Sequence, residues 1–440
     1  MKLLRNILVF ILATTGFFVF LTETLNIFGV DTLSFKLGFS HFFYGDAFKN
    51  SESFLSGEDV VGVDVFNSSK IEQAKSIIKR EYYQFNQKSK KEIEDGVLES
   101  IVQSLGDKHS TYFNQKDAQE FKEVLRGDFE GIGAVIDRHT KGIVIRKVFD
   151  TSPAKKSGLQ DGDIILKVGN ESMVGVSTEE AVKKIRGPKG SKVLIEYLHG
   201  LNEVKTVEIT RGTIMIPSVE GKILSGSTIG YVEVLFFGDN TTNEFTNELI
   251  NLSKSGATSL ILDFRGNGGG YLDTAVDLLS YFFKENTLVV RTRQNNPKQT
   301  EELKTHKTPK LFREDLPVVM LINSLSASAT EIVAGAFQDY GRAIILGEKS
   351  YGKGSVQEPF ILDDGSILKI TIGRWYTPKD QNIDKNGITP DVTVPIFETD
   401  YIEKNDRQLS AAKEIIGLLS LSGSSVQSVI DEAKTKDFIK

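Results

Sequence analysis

The sequence predicts an α/β core, preceded by a smaller, mainly β module and flanked by helices. Three observations carry that reading. Residues 213 to about 400 alternate short apolar runs with segments of helical periodicity, the mark of a sheet with helices packed on it. Residues 127–212 show several short strands and one main helix. Residues 69–126 carry apolar side chains at helical spacing, with Ile71, Ala74, Ile77 and Ile78 on one stripe and Ile93, Val97, Ile101 and Leu105 on another. Such stripes ordinarily mean core packing. At 440 residues the chain has room for two or three domains.

From the N-terminus, Lys2 and Arg5 precede an uncharged, largely apolar stretch from Asn6 to Thr22, ended by Glu23. Residues 1–23 therefore read as a secretory signal or a membrane anchor. The stretch is long for a signal core and just adequate for a span of ~17–20 residues, so an anchor is expected. The positive residues would hold its start in the cytoplasm and put the bulk of the chain outside, in the periplasm or cell envelope. Residues 24–68 read as a linker or accessory region. The charge balance, 53 basic against 59 acidic residues with no long basic run, argues against a nucleic-acid partner. The absence of cysteine excludes disulfides, a thiol nucleophile and cysteine metal sites. His41, His109, His139, His199 and His306 are scattered without metal-ligand spacing, and neither a metal nor another cofactor is expected. A homo-oligomer is compatible with the sequence.

The mainly β module opens with Phe129–Ile136, continues through Gly142–Val148 and the passage from Ser152 to Val168, and ends in strands at Lys192–His199 and Val204–Thr210. Ser177 and Glu180 form the pattern of a capping box, starting a short helix that carries Ala181, Val182 and Ile185. In the core, Leu260–Asp263 reads as a strand running into a glycine-rich turn, Arg265-Gly-Asn-Gly-Gly-Gly270, then a helix from Tyr271 to Phe283. Tyr271 stands where a dinucleotide fingerprint needs its third glycine, so that reading is set aside. Leu316–Ile322 reads as a buried strand and Ala329–Tyr340 as a helix with Ile332, Val333, Ala336 and Phe337 at helical spacing. Residues 401–440 read as a polar helical tail with Ala411, Ile415 and Leu418 on one face.

Ser328 thus falls at a strand-to-helix turn, and Lys353 follows it by 25 residues after another strand at Ala343–Gly347. A serine hydroxyl is a poor nucleophile until a base removes its proton, and a buried, neutral lysine can do that. The Ala329 amide, at the helix start, is placed to hold an oxyanion. Gln357 could hydrogen-bond the lysine and fix its direction. A serine at a helix start is ordinarily an N-cap, which is the plain alternative. Gly347–Lys353 also matches much of a phosphate-binding loop. Gly354 replaces the hydroxyl residue that would hold magnesium, and a strand containing Pro359 follows where a helix is needed, so a nucleotide site is rejected.

The passages Asn323–Glu331 and Gly347–Gln357 resemble the catalytic segment of the carboxyl-terminal processing, or tail-specific, proteases. That resemblance implies a nucleophile at Ser328, a general base at Lys353 and an orienting amide at Gln357. Leu325 and Thr330 depart from the family pattern beside the site. Phe264–Gly270 resembles the family's glycine-rich stretch, with Gly268 replacing a proline, and implies that Gly269 or Gly270 is a second oxyanion donor beside Ala329. The β module resembles a PDZ domain at Pro153-Ala154, Gly158-Leu159 and Gly162-Asp-Ile-Ile165. This implies a peptide groove with Gly131, Ile132 and Gly133 as the carboxylate clamp, lined by Ala134, Val182 and Ile185. A basic residue such as Arg186 could assist, although a solvated side chain is the ordinary role for an arginine at a helix end. Gly106–Phe113 and Arg374–Pro378 match further family segments, while Asp380 and Gln381 depart from them. His109 is read as structural.

The resemblance covers about residues 70 to 400 and implies a crotonase-like protease core (213–400) with the PDZ domain (127–212) inserted after the helical part (69–126). The function it implies is a serine endopeptidase that recognises protein C-termini and trims tails or degrades tagged or misfolded envelope proteins. Two alternatives stand beside it. A PDZ scaffold with little activity would ordinarily have lost Ser328 or Lys353, and a non-peptidase serine hydrolase would need no chain-end receptor.

Overall fold

The computed structural model describes residues 69–436, apart from residues 150, 201–202, 295–298, 398–405 and 422–424. The expected anchor and the accessory region to residue 68 lie outside the described residues. Among those described, no helix is long and apolar enough to cross a membrane.

Helices α1 (Ser69–Glu81) and α2 (Lys90–Ser104) come first, followed by β1 (Thr111–Phe113) and α3 (Gln115–Arg126). Here the expectation of core packing is corrected. Ile71, Ile77, Ile78, Ile93, Val97 and Leu105 are all exposed, and α1 buries no residue. The amphipathic spacing is real, but it leaves those six side chains exposed. Helix α3 is different: Asn114 caps it, and Ala118, Phe121 and Val124 are buried.

The chain next enters the β module through β2 (Asp128–Gly131) and leaves it through β9 (Gly212–Met215), two strands that pair antiparallel. Between them run β3 (Ala134–His139), β4 (Gly142–Val148), the one-turn helix α4 (Pro153–Lys156), β5 (Ile164–Val168), β6 (Glu171–Ser172), α5 (Thr178–Ile185), β7 (Lys192–His199) and β8 (Glu203–Thr210). The sheet order is β3-β4-β5-β7-β8, so β3 is an end strand. The Ser177–Glu180 capping box forms and starts α5. Ile143, Ile145, Ile165, Ile195 and Ile209 make a separate core that Ala181 and Ile185 of α5 close.

The rest of the chain runs β10 (Val219–Ile223), β11 (Ile229–Val234), α6 (Thr241–Lys254), β12 (Ser259–Asp263), α7 (Leu272–Ser280), β13 (Leu288–Gln294), β14 (Thr300–Lys304), β15 (Val318–Ile322), α8 (Ala329–Tyr340), β16 (Ile344–Gly347), β17 (Ser355–Ile361), β18 (Ile367–Tyr376), β19 (Val392–Thr393), α9 (Arg407–Leu419) and α10 (Val426–Thr435). The central sheet has the order β10-β11-β12-β15-β16-β19 and is parallel from β11 onward. Parallel strands buried on both faces explain the unbroken apolar runs. Leu260, Leu262, Val318 and Met320 face α6, α7 and α8, whereas Ile261, Val319 and Leu321 face the other way, towards α9 and α10. The tail is therefore structural: Ala411, Ala412, Ile415 and Ile416 are buried against the sheet. A second sheet, β1-β18-β13-β14 with β17 beside β18, flanks the core.

Candidate active site

The loops after β12, β15 and β16 leave the carboxyl ends of three neighbouring parallel strands, where open α/β sheets place their ligands. Hydrogen bonds stitch the first two loops together. Asn323 Oδ1 accepts from Gly266 N–H at 2.9 Å, and Ser326 Oγ donates to Phe264 O at 2.9 Å. Asn267 O accepts from Ala327 N–H and from Thr330 Oγ1. Ser326, two residues before the expected nucleophile, is thus a buried structural side chain. The first loop is anchored from behind by Arg265, which is 2% exposed and pairs with Asp263 and with Asp406 at the start of α9.

Ser328 is fully buried at the start of α8, with φ 58° and ψ −117°. An L-residue in that region is strained, and such strain persists only where the surroundings enforce it. Its Oγ has no hydrogen-bond partner, so it does not act as an N-cap in this structure. Its backbone N–H instead donates to Glu331 Oε2 at 2.8 Å. Gly269 is packed against it: a Cβ there would lie 2.8 Å from Ser328 Cβ and 3.0 Å from Ala329 N. At φ 106° the position already favours glycine. The Gly269 N–H donates to Asn267 Oδ1 at 2.8 Å, whereas the Gly270 N–H makes no hydrogen bond among the described residues. Of the two glycines left open by sequence, Gly270 keeps a donor to offer. The Ala329 N–H, at the first position of α8, lacks an intrahelical acceptor.

Lys353 is 2% exposed. Burial, then the nearby charge of Lys369, hold its amine well below the ordinary lysine range, with Glu331 and Asp107 pulling the other way. Lys369 of β18 is fully buried, with its ammonium 5.2 Å from the centre of the Phe113 ring and 5.7 Å from that of Phe121. Burial brings its pKa down to about 7, against the pull of Asp107. His109 is buried too, and burial followed by the Lys353 charge pushes its pKa down to about 3. A group so reluctant to bind a proton is a poor general base near neutrality, in keeping with the structural reading.

Glu331 is the organiser that sequence reasoning missed. Its fully buried carboxylate accepts from Ser328 N–H, Lys353 N–H (2.9 Å), Gly352 N–H (2.7 Å) and Ser350 Oγ (2.5 Å). Burial raises its pKa, and these hydrogen bonds oppose the rise. The signal was present as a glutamate three residues into a helix, but three of its four donors come from a loop about 20 residues downstream.

The expected hydrogen bond from Lys353 to Gln357 is absent. Gln357 is fully buried on β17, and its Nε2 donates to Ser355 Oγ at 2.8 Å and Thr371 Oγ1 at 3.1 Å, while its Oε1 has no partner. In the β module, β3 and α5 border a cavity whose lining includes Gly131, Ile132, Gly133, Ala134, Val182 and Ile185. The N–H groups of Ile132 and Gly133 form no hydrogen bond among the described residues. Arg186 lies beside this cavity, 3.4 Å from Glu123 of α3 and over the Phe129 ring. Among the described residues no cluster of side chains could hold a metal ion.

Comparisons with known proteins match two parts of the chain to families and most of it to relatives. The model of peptidase family S41 matches residues 228–394 and that of the PDZ domain matches residues 122–198. A "Probable CtpA-like serine protease" of Staphylococcus haemolyticus is 35% identical over 343 residues, 78% of this chain and 68% of that protein. The "Carboxy-terminal processing protease CtpA" of Bacillus subtilis is 34% identical over 346 residues, 78% of this chain and 72% of its own length. A solved structure titled photosystem II D1 C-terminal processing protease covers 74% of this chain and 87% of its own, at 24% identity and a TM-score of 0.43. The chain therefore belongs to the carboxy-terminal processing proteases of peptidase family S41, serine-type peptidases, and carries a PDZ domain.

Proposed function

We propose that the chain cleaves polypeptides by a serine–lysine mechanism. Ser328 Oγ attacks the peptide carbonyl carbon as Lys353 Nζ takes its proton. The Ala329 and Gly270 N–H groups hold the oxyanion, and the lysine then protonates the leaving amine. Lys353 next takes a proton from the water that attacks the acyl-enzyme and passes it to Ser328 Oγ as the acyl C–O bond breaks, releasing the carboxylic acid and restoring both side chains. The observation that carries this reading is the Glu331 carboxylate. It ties a strained, buried serine whose hydroxyl has no partner to a buried lysine with a depressed pKa.

In the same reading the PDZ domain captures the substrate's C-terminus. The chain end adds as a strand along β3, its last side chain enters the cavity beside Val182 and Ile185, and its carboxylate sits on the Ile132 and Gly133 N–H groups. Substrates would then be tails and tagged or misfolded proteins of the cell envelope. The Lys2 and Arg5 charges ahead of the apolar stretch to Thr22 support an N-terminal anchor with the protease outside the cytoplasm. The alternation of parallel strands and helices in the core supports the crotonase-like reading of its fold.

The test is incubation with a denatured protein ending in an apolar, uncharged tail, followed by mass spectrometry. Cleavage that requires Ser328 and slows when the C-terminus is amidated is expected. Equal turnover of free and amidated substrates would remove chain-end capture. Full-length protein found soluble in the cytosolic fraction would remove the anchor.

A further inference from the structure

A chain of hydrogen bonds begins in the loop before β1 and ends at Gln357. Asp107 Oδ1 accepts from His109 N–H at 3.0 Å, and its Oδ2 accepts from Ser110 Oγ at 2.6 Å and Thr371 Oγ1 at 2.5 Å. Ser110 Oγ in turn accepts from Thr371 N–H at 3.0 Å. The loop from Asp107 to Ser110 thus grips β18 at residue 371, which stands opposite Gln357 on β17.

The polarity of the chain is fixed by proton counting. An ionised carboxylate only accepts, so the single Thr371 hydroxyl proton is committed to Asp107. Asp107 stays ionised: burial disfavours its charge, but the hydrogen bonds from Ser110, Thr371 and His109 N–H outweigh burial and lower its pKa. The Thr371 oxygen can then only accept from Gln357, so the end of the amide facing it must be the nitrogen. Ser355 Oγ receives the other N–H. Both amide protons are spent on the β17–β18 side, and the carbonyl oxygen is left buried and without a partner.

A buried amide oxygen with no donor is destabilising unless a partner is supplied during function. We propose that Asp107 and Thr371 are positioning residues for catalysis: they lock the Gln357 amide so that its oxygen is the end offered to the Lys353 amine. The inference rests on the serine–lysine reading above. It adds that the amide is held before substrate arrives, by a loop that precedes the PDZ domain in sequence, 264 residues from Thr371.

The test compares Thr371→Val, which keeps the shape and loses the hydroxyl, with Thr371→Ser, each in the wild-type and Gln357→Ala backgrounds. Thr371→Val should lower kcat by about 10- to 100-fold with little change in KM, the scale of a misplaced catalytic group. Thr371→Ser should restore most of the rate, and Thr371→Val should cost nothing further once Gln357 is alanine. Should Thr371→Val lose its cooperative melting transition, Asp107→Asn carries the same comparison. The relay is overturned if Thr371→Val or Gln357→Ala turns over like wild type. It is also overturned if Thr371→Ser is as impaired as the valine variant, or if the Thr371 and Gln357 losses add in full. Ser328→Ala and Lys353→Arg run in parallel keep the two ideas apart. Activity in either removes the dyad, whereas inactivity in both beside an unaffected Thr371→Val removes only the relay.

Discussion

Ser328 and Lys353 donate their backbone N–H groups to the same oxygen atom, Oε2 of Glu331, at 2.8 and 2.9 Å. The Ser328 turn and the Lys353 loop come from different strands, and this buried carboxylate is where they are fastened together. Glu331→Gln should therefore damage stability and rate together. The new amide presents a donor where an acceptor is needed, at about 1–3 kcal/mol for each N–H or O–H left unsatisfied. Calorimetry should show a lower melting temperature, and a peptide assay a loss in kcat larger than any change in KM. A variant with wild-type melting and rate would mean that the carboxylate fastens nothing.

The pH profile carries a sign that can be checked. If Lys353 acts as the base, kcat/KM should rise with pH to a plateau reached well below the ordinary lysine pKa, since burial and the Lys369 charge depress it. Removing that neighbouring charge by Lys369→Met should move the limb to higher pH. The same substitution bears on stability. The Lys369 pKa is about 7 in the folded chain against an ordinary 10.5, so between those values the unfolded chain binds more protons and stability rises with pH. Below about 7 the cost of burying the charge is present in full. Lys369→Met should thus be more stable than wild type at pH 6, with the difference shrinking towards pH 10. A constant difference across that range would contradict the depressed pKa.

Gly269→Ala should disable the site. The added Cβ meets Ser328 Cβ at 2.8 Å and Ala327 O at 2.9 Å, on a backbone at φ 106°. A fall in kcat of about 100-fold or more is expected, with peptide binding to the PDZ domain unchanged. Retained turnover would show that the glycine loop is free to move away.

Chain-end capture can be read without catalysis. In the Ser328→Ala background, a fluorescent peptide with an apolar C-terminus should bind with anisotropy changes that Val182→Asp weakens at least about tenfold, or ~1.4 kcal/mol. The aspartate would put a negative charge into the apolar cavity that Val182 lines beside the Ile132 and Gly133 N–H groups. Unaltered affinity would place the peptide elsewhere.

Much of this architecture was legible in sequence because local chemistry specified it. The apolar run Leu316–Ile322 and the helical spacing after Ser328 marked the strand–turn–helix, and Ser177 with Glu180 announced α5. What stayed hidden depends on partners far apart in the chain. Three of the four donors to Glu331 come from residues 350–353, and those to Asp107 include Thr371, while neither distance leaves a periodic trace. The Gly269 amide looked as available as that of Gly270 until Asn267 was seen to accept from it. The stripes on α1 and α2 show the limit of periodicity, which reports that a face is apolar but not what covers it. Likewise Gln357 stood near Lys353 in sequence, and only the Thr371 hydroxyl reveals which end of its amide is committed.

The central claim is that Lys353 removes the Ser328 proton, and one substitution bears on it most directly. Lys353→Arg keeps a long nitrogen-bearing side chain of similar reach, but a guanidinium stays protonated and cannot accept a proton. Measured on a peptide or a denatured protein with a free apolar C-terminus, Lys353→Arg should be as inactive as Ser328→Ala, because the pair acts as a unit and the losses do not add. A Lys353→Arg enzyme that cleaves at a near wild-type rate would show that the lysine is not the base.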